Sequence, residues 1–429
     1  MLPYQAVLRK VTWRLLPFMF VLYIMSYLDR INVSFASLQM NKELGFDDAT
    51  FGFGAGVFFV GYFLFGIPSN VMIAKFGARR WVALIMIVWG AISVSMAAVH
   101  DANSFNILRF FLGVAEAGFF PGMILYLTYW YPKRERGTAV ARFMSAIPMA
   151  GILGGLIASK VLAMHGLLGL SGWKWLFIIT GAPSVVLGFM VPLMLPDGPA
   201  HANWLCEHDK EVLAEKMESE KVTLADGEKE SFATVARNPV VIRYGCLYFC
   251  LALCFYGYQL WLPQIIEAFG GLTDSQTALL SAIPAVLQAA GMIAIAHNSD
   301  RTGERRWHVA GSAILSAVGL IVSAMTVSNP FVSFSALCIA AFGMWGTVGP
   351  FWSLPTAQLT PATAAVGIAL INSFGALGGG VGPMAVGAIK QYTHNFTYAL
   401  GFMALNLVVV GILAVTGSQA GSRSSQVAG

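Results

Sequence analysis

The stretch AKFGARRW, residues 74–81, returns later in the chain as DRTGERRW, residues 300–307. Gly77 matches Gly303, and both stretches end in two arginines followed by a tryptophan. Each is a short polar loop that follows the second long apolar run of its half of the chain. The sequence therefore indicates a duplicated protein built from two pseudo-symmetric halves.

Long apolar runs dominate both halves, because the chain has 57% hydrophobic and only 11% charged residues. Ordinary soluble domains carry about 25% charged residues, and a membrane span needs roughly 20 mostly apolar ones. Backbone polar groups in lipid must be bonded internally, and these runs are too long for barrel strands, so we expect helices. The predicted fold is an all-α membrane protein with twelve transmembrane helices in two six-helix bundles. The predicted spans are residues 13–38, 49–73, 81–99, 104–130, 139–163, 173–195, 244–266, 275–297, 307–327, 331–355, 363–389 and 396–417.

Dense mixed charge in residues 196–239 interrupts the apolar pattern. We therefore predict a cytoplasmic N-terminus (1–12), a first bundle (13–195), a linker (196–239), a second bundle (240–417) and a cytoplasmic tail (418–429). The middle of the linker fits an amphipathic helix with Glu-to-Lys pairs, within what we interpret as a solvated connector.

Lysines and arginines near the short loops predict the orientation, because they are in excess on the cytoplasmic side. The sequence places four on one side of the membrane: Lys42, Lys160, Lys174 and Lys390. It places thirteen on the other side: Arg9, Lys10, Arg14, Lys75, Arg79, Arg80, Lys133, Arg134, Arg136, Arg142, Arg301, Arg305 and Arg306. Both termini are thus predicted to be cytoplasmic. The net charge of +5 reflects this topology and predicts no nucleic-acid partner.

Four charged residues lie deep inside predicted helices: Asp29 and Arg30 in the first, Arg109 and Glu116 in the fourth. A charge at the bilayer centre costs about 2.5–3.5 kcal/mol or more, so such residues mark functional sites or pairs. Arg30 continues a polar stripe that includes Tyr27 at helical spacing. Arg109 and Glu116 lie seven residues apart, hence on one face and roughly 10 Å apart along the axis.

The chemistry of these four residues predicts two roles. Arg30 and Arg109 fall at compatible depths and together fit a carboxylate clamp, because each guanidinium offers a planar fork of donors. Asp29 and Glu116 suit proton coupling, since a nearby arginine changes how readily each carboxylate binds a proton. The alternative is structural, with two ion pairs that join the first and fourth helices.

Several motifs then resemble a known family. The paired loops resemble the signature of the major facilitator superfamily, and RFFLGVAEAGFFPG (109–122) is similar to its fourth-helix motif. More narrowly, YLDRINV (27–33), GIPSN (66–70), LTYWYPKRERG (127–137) and GWKWLFI (172–178) resemble the anion:cation symporter family. That family holds bacterial permeases for tartrate, phthalate, sugar acids and hydroxyphenylacetate, so the resemblance implies a bacterial inner-membrane protein. The similarity covers nearly the whole chain and implies protonatable acids beside anion-binding arginines.

The resemblance also implies further residues of the substrate cavity, although core packing is an alternative for each aromatic. These residues are Tyr62, Trp352, Asn372 and Ser373. The chain departs from the family pattern at Gly66, Ala74 and Thr180, where acids are common. Because position 74 is an alanine, the first loop lacks the acid that would pair with its arginines, whereas the second loop has Asp300 at the matching position.

The two loops are predicted to act as gates on the cytoplasmic side. Simple anchoring of the inner membrane edge is the other interpretation of their basic residues. The candidate gating residues are Lys75, Arg79, Arg80, Asp300, Arg301, Arg305 and Arg306.

The predicted function is import of a small organic carboxylate by proton symport through alternating access. A proton-driven exporter of drug-like or metabolite cargo is the alternative, and a non-transporting sensor lacks a large soluble domain to support it. Protons are the expected coupling ion. The seven histidines lie in loops or at helix ends, so they predict neither a metal site nor an enzyme. The sequence contains no GxxxxGK[ST] loop, which argues against ATP-driven transport. We expect a monomer in the lipid bilayer.

Overall fold

The computed structural model describes residues 3–221 and 232–416, and within these ranges its regular structure consists of helices, without strands. Twelve helices or helix pairs are long and apolar enough to cross a membrane. They confirm the predicted fold class and span number. The spans are Tyr4–Leu44, Asp48–Phe76, Ala78–Ala98, Ala102–Thr128, Glu135–Leu162, Gly172–Met194, Pro239–Glu267, Asp274–Thr302, Arg306–Met325, Pro330–Gln358, Val366–Thr393 and Thr397–Val415.

The chain divides into two compact units, Met1–Asp226 with Leu272–Ala282, and Gly227–Gly271 with Ile283–Gly429. The helices before the undescribed segment all belong to the first unit. They are α1 (Pro3–Leu44), α2 (Asp48–Phe76), α3 (Ala78–Ser95), α4 (Ala102–Glu116), α5 (Phe119–Thr128), α6 (Lys133–Met144), α7 (Ala146–Leu162), α8 (Gly172–Met194) and α9 (Glu207–Lys221).

The remaining helices form the second unit, with one exception. The helix Asp274–Leu280 belongs to the first unit, where it packs against α7. In chain order, the remaining helices are α10 (Phe232–Ala236), α11 (Pro239–Glu267), α12 (Asp274–Leu280), α13 (Ala282–Thr302), α14 (Arg306–Met325), α15 (Pro330–Gly346), α16 (Val348–Gln358), α17 (Pro361–Thr393) and α18 (Thr397–Val415). Four of the twelve spans are therefore pairs of helices with a break between them, such as α4 with α5.

Glycines set the closest helix contacts in each unit. In the first unit, a Cβ atom at Gly113 of α4 would lie 1.9 Å from the Phe58 carbonyl oxygen of α2. In the second unit, a Cβ at Gly382 of α17 would lie 2.2 Å from the Leu253 carbonyl oxygen of α11. Only glycine permits such backbone approach, and Gly382 belongs to a glycine-rich run at residues 375–383.

The linker begins docked on the first unit. Asp197 pairs with Arg79 at 2.8 Å, and Trp204 stacks on Trp130 with ring centroids 5.6 Å apart. In α9, Asp209 accepts a 2.7 Å hydrogen bond from Lys10, which holds the pKa of Asp209 below its usual value. The predicted linker helix is present, but its first part is packed against α1 rather than solvated throughout. The linker residues 222–231 and the predicted tail lie outside the described residues.

Candidate functional site

An ion pair between α1 and α4 forms the centre of the first unit. Arg30 Nη2 lies 2.5 Å from Glu116 Oε1, and Ser26 donates a 2.7 Å hydrogen bond to the same oxygen. Glu116 is the last residue of α4, where the span breaks before α5. The carboxylate is 1% exposed, and its Oε2 has no hydrogen-bond partner among the described residues. The structural alternative from the sequence, ion pairs that join the first and fourth helices, is therefore observed for Arg30 with Glu116, whereas Asp29 and Arg109 form no such pair in the part of the chain that the structure describes.

Aromatic rings surround the Arg30 guanidinium. Its carbon lies 5.2 Å from the ring centroid of Tyr62, 5.5 Å from that of Phe58 and 5.9 Å from that of Tyr27. These are cation–π distances, and they keep the guanidinium in place beside the acid. Arg30 retains 9% exposure, so its side chain is largely but not fully enclosed. The structure therefore brings the predicted Tyr27, Tyr62, Arg30 and Glu116 together.

Arg109 occupies a separate position, fully buried against α2. It donates hydrogen bonds to the carbonyl oxygens of Gly54 and Ala55, at 3.2 and 3.3 Å, and its guanidinium carbon lies 4.9 Å from the Phe58 ring centroid. Arg30 and Arg109 thus contact one phenylalanine but share no open surface in this conformation. The close approach of α2 and α4 explains this, because it places backbone acceptors within reach of Arg109. The paired clamp stays a prediction.

Asp29 is held by uncharged donors from three helices. Its carboxylate accepts hydrogen bonds from Trp89 Nε1 at 3.1 Å, Ser93 Oγ at 2.8 Å and Ser184 Oγ at 2.7 Å. Asn32 is a more distant donor at 3.4 Å. The carboxylate is 1% exposed and ties α1 to α3 and α8. The two acids of the site therefore have different surroundings, one cationic and one neutral.

Some of these partners were absent from the sequence prediction. Ser26, Phe58, Trp89, Ser93 and Ser184 carry no motif of their own, and serines and aromatics recur throughout the spans. The available signal was that small polar side chains inside a span usually serve a buried polar partner. Thr180 is one such case, because it hydrogen-bonds Asn32 at 2.9 Å at a position where the family often has an acid.

The second unit offers an aromatic and amide surface of its own. The Trp352 ring contacts Tyr248 and Phe351 with centroids 5.0 and 5.1 Å away. On α17, Asn372 is exposed in the middle of a span and Ser373 donates to the Ala369 carbonyl oxygen. An exposed amide suits a wet surface, since lipid offers it no hydrogen bonds. The sequence missed Tyr248, which packs over Gly375.

The repeated loops differ in how their arginines are bonded. In the first loop, Arg79 pairs with Asp197 and also donates at 2.6 Å to the Pro192 carbonyl oxygen at the end of α8. In the second, Arg305 pairs within the loop, with Asp300 at 2.6 Å and Ser299 at 3.0 Å. The acid missing at position 74 is therefore supplied by the start of the linker.

The other candidate gating residues have fewer defined contacts. Arg80 and Arg301 are exposed, Arg306 is partly buried near Tyr244, and Lys75 lies over the ring of Phe76. Anchoring and gating both remain open for them. In residues 3–221 and 232–416, no group of three or more His, Cys, Asp or Glu side chains is placed to hold a metal ion.

Comparison with known proteins connects this arrangement to a family. A family model described as the Major Facilitator Superfamily matches residues 19–383. Two Agrobacterium vitis proteins, each named "Putative tartrate transporter", are 45% identical over 409 residues, covering 95% of this chain and 90% and 94% of theirs. A "Quinolone resistance transporter" of Acinetobacter baumannii is 40% identical, over 93% of this chain and 92% of that protein.

Solved structures agree on the fold. A bacterial homologue of the human lysosomal transporter Spinster, in an inward-facing and unoccupied conformation, has a TM-score of 0.78 and covers 96% of this chain and 97% of its own. The identity is 17%, so this likeness shows the architecture alone.

Proposed function

The chain belongs to the major facilitator superfamily, and we propose that it imports a small organic carboxylate together with protons. It is an integral membrane transporter rather than an enzyme. The proposal rests above all on the Arg30–Glu116 ion pair, in which a largely buried guanidinium is bonded to a buried carboxylate. The two relatives named as tartrate transporters support an organic acid as the substrate. We place both termini in the cytoplasm, by the distribution of lysines and arginines.

Competition for Arg30 explains the coupling. The ionised Glu116 carboxylate is bonded to the Arg30 guanidinium, so a substrate carboxylate must displace it to bind Arg30. When Glu116 binds a proton, its charge is lost and the donor fork of Arg30 becomes available for the substrate carboxylate. Proton and anion therefore bind together, and the loaded site carries a charge close to that of the empty one. Such compensation lowers the cost of moving through a low-dielectric state.

The remaining candidate residues complete the proposed site. Tyr27 and Tyr62 adjoin Arg30 and are placed to contact the body of the substrate. Asp29 is a second position for a proton, where protonation would change its bonds to Ser93 and Ser184. Arg109 would add a second cation only after leaving the carbonyls of Gly54 and Ala55. In the second unit, Trp352, Asn372 and Ser373 provide neutral contacts to the substrate.

Uptake into proteoliposomes tests the coupling. A thermal-shift screen of mono- and dicarboxylates, sugar acids and aromatic acids first identifies a ligand. We expect an inward proton gradient to drive uptake of that ligand by the unmodified protein. Glu116→Gln should lose gradient-driven uptake yet retain exchange of labelled for unlabelled substrate, because exchange needs no net proton transfer. Unchanged pH dependence of uptake in this variant would exclude Glu116 as a coupling acid.

Export is the second candidate, favoured by the 40% identical relative named as a quinolone resistance transporter. The direction of movement separates the two functions. An importer accumulates its ligand inside vesicles when the outside is acidic, whereas an exporter with the same orientation needs the opposite arrangement. Export of uncharged or cationic compounds would also leave Arg30 without a role, so activity of Arg30→Gln on such compounds would favour this second function.

A further inference from the structure

A cavity lies in the first unit, at the end that holds the start of α1. Its volume is about 700 Å³, and its walls come from the first half of α1 and from α6. The residues that carry the argument are Arg9, Trp13, Phe20, Glu135 and Arg142. We call this space the N-terminal cavity.

The N-terminal cavity is separate from the Arg30 site. Arg9 precedes Arg30 by 21 residues, which is about 31 Å along a helix axis. Between them on the same face of α1, Tyr23 stacks on Phe143 with centroids 4.5 Å apart, and its ring also contacts Phe119 at 5.9 Å. These aromatic rings lie between the two regions along α1, and Phe20 is the lining residue of the cavity that is nearest to them in sequence.

Two of the cations that line this cavity are not neutralised. Among the described residues, neither the Arg9 nor the Arg142 guanidinium has a hydrogen bond or an ion pair, and both residues are exposed. Neighbouring basic residues differ, since Lys10 pairs with Asp209 and Arg136 donates to the carbonyl oxygen of Tyr131. Two unneutralised guanidiniums on one cavity create a positive potential that concentrates anions. Their planar donor forks match carboxylate or phosphate oxygens.

The wall of the cavity also holds an acidic residue, Glu135, which needs a hydrogen-bond donor. Its Oε2 is buried in the wall of this cavity without a hydrogen-bond partner among the described residues. A buried carboxylate oxygen without a hydrogen-bond donor is unfavourable. Rotation of the Glu135 side chain toward the cavity would let a ligand hydroxyl donate to this oxygen while the ligand carboxylate meets the arginines.

We propose that the N-terminal cavity is a second anion-binding site that takes a small hydroxycarboxylate. Arg9 and Arg142 bind the carboxylate, and the ligand hydroxyl donates to Glu135. The class of ligand rests on the proposed function, while the site itself rests on the cavity and its charges. With the N-terminus in the cytoplasm, the cavity lies at the cytoplasmic end of the first unit, where a cytoplasmic anion meets it.

Trp13 provides a direct readout, because it lines the cavity and is 73% exposed. The experiment uses the full chain in uncharged detergent, with the Trp13→Phe variant subtracted to isolate the Trp13 fluorescence. Iodide should quench Trp13 more strongly than neutral acrylamide, and L-tartrate should protect it. Succinate has the same two carboxylates without hydroxyls, and it should protect about tenfold more weakly, the equivalent of one hydrogen bond. Arg9→Gln combined with Arg142→Gln should abolish both the iodide preference and the protection.

Controls separate this site from its surroundings. Arg14→Gln removes an exposed arginine beside Trp13 that does not line the cavity, and it should leave protection by tartrate unchanged. Arg30→Gln should also leave it unchanged, so that failure of the proposed import function is distinguishable from failure of the N-terminal site. Circular dichroism melting checks that each variant is folded.

Three results would overturn the proposal. Tartrate protection that persists in the double arginine variant would show that these cations do not bind it. Protection by inorganic phosphate or short-chain phosphatidylglycerol but not by tartrate would assign the cavity to phosphate groups. Equal protection by succinate and tartrate, unaffected by Glu135→Gln, would remove the hydroxyl preference and with it the proposed ligand class.

Discussion

The two halves of this protein share a loop sequence but divide the chemistry unequally. The first unit buries Asp29, Arg30, Arg109 and Glu116 within its spans. In the second unit, the 83 residues from 307 to 389 contain no Asp, Glu, Lys or Arg. The two units therefore share a loop sequence and close helix contacts at glycines, whereas the four charges buried inside spans all lie in the first unit. Because each buried charge is costly in lipid, concentrating them lets the charges compensate one another.

Replacing Arg30, the cation of the ion pair in the first unit, should have the largest effect on stability and substrate binding. Arg30→Ala leaves Glu116 buried without its partner, which we expect to cost about 3–5 kcal/mol of stability and to abolish substrate binding. Thermal melting and the ligand-induced thermal shift measure the two effects. The double variant Arg30→Ala with Glu116→Gln should recover much of the stability without recovering binding. A normal ligand-induced shift in Arg30→Ala would contradict the proposed role of Arg30.

A change at the second acid should cost less. Asp29→Asn replaces an acceptor oxygen by an amide donor that faces the donors Trp89, Ser93 and Ser184. We expect a loss of about 2 kcal/mol, measured by thermal melting, because a hydrogen bond to a charged group is worth about 1.5–3 kcal/mol. Ser184→Ala removes one donor only and should cost about half as much. Asp29→Asn with unaltered stability would show that this network is not formed.

The second unit should respond differently from the first. Trp352→Ala removes one aromatic contact, and we expect substrate affinity to fall about tenfold or less. The pH dependence of uptake should stay unchanged, because the affected surface holds no ionisable group of the proposed coupling set. Uptake measured across pH for Trp352→Ala and Tyr62→Ala compares the two halves directly. A shifted pH dependence in the Trp352 variant would mean that the second unit takes part in coupling.

The smallest effects are expected at the repeated loops. Asp197→Asn and Asp300→Asn each break a partly exposed ion pair, which we expect to change stability by less than about 1 kcal/mol. If the pairs hold a conformation of the gate, transport rate should fall while substrate affinity stays the same. Ala74→Asp should restore the rate of Asp197→Asn, because it returns an acid to the position that Asp300 occupies in the second loop. Unaltered rates in both single variants would favour the anchoring role instead.

The sequence by itself determined the membrane class, the twelve spans, the duplication and the identity of the four buried charges. These features follow from local properties, since apolar runs of sufficient length must form helices in lipid and charges within them are rare. Helical periodicity also gave the face and the depth of each charge along its own helix.

Only the tertiary structure decided how those charges are partnered. Glu116 pairs with Arg30, and Arg109 turns to the carbonyls of α2 because Gly113 lets the two helices touch. Asp29 takes its donors from α3 and α8, and Arg79 takes its acid from the linker. Periodicity specifies a face of one helix, but the neighbour that meets this face depends on packing among segments far apart in the chain. The partners of a buried charge are set at that level.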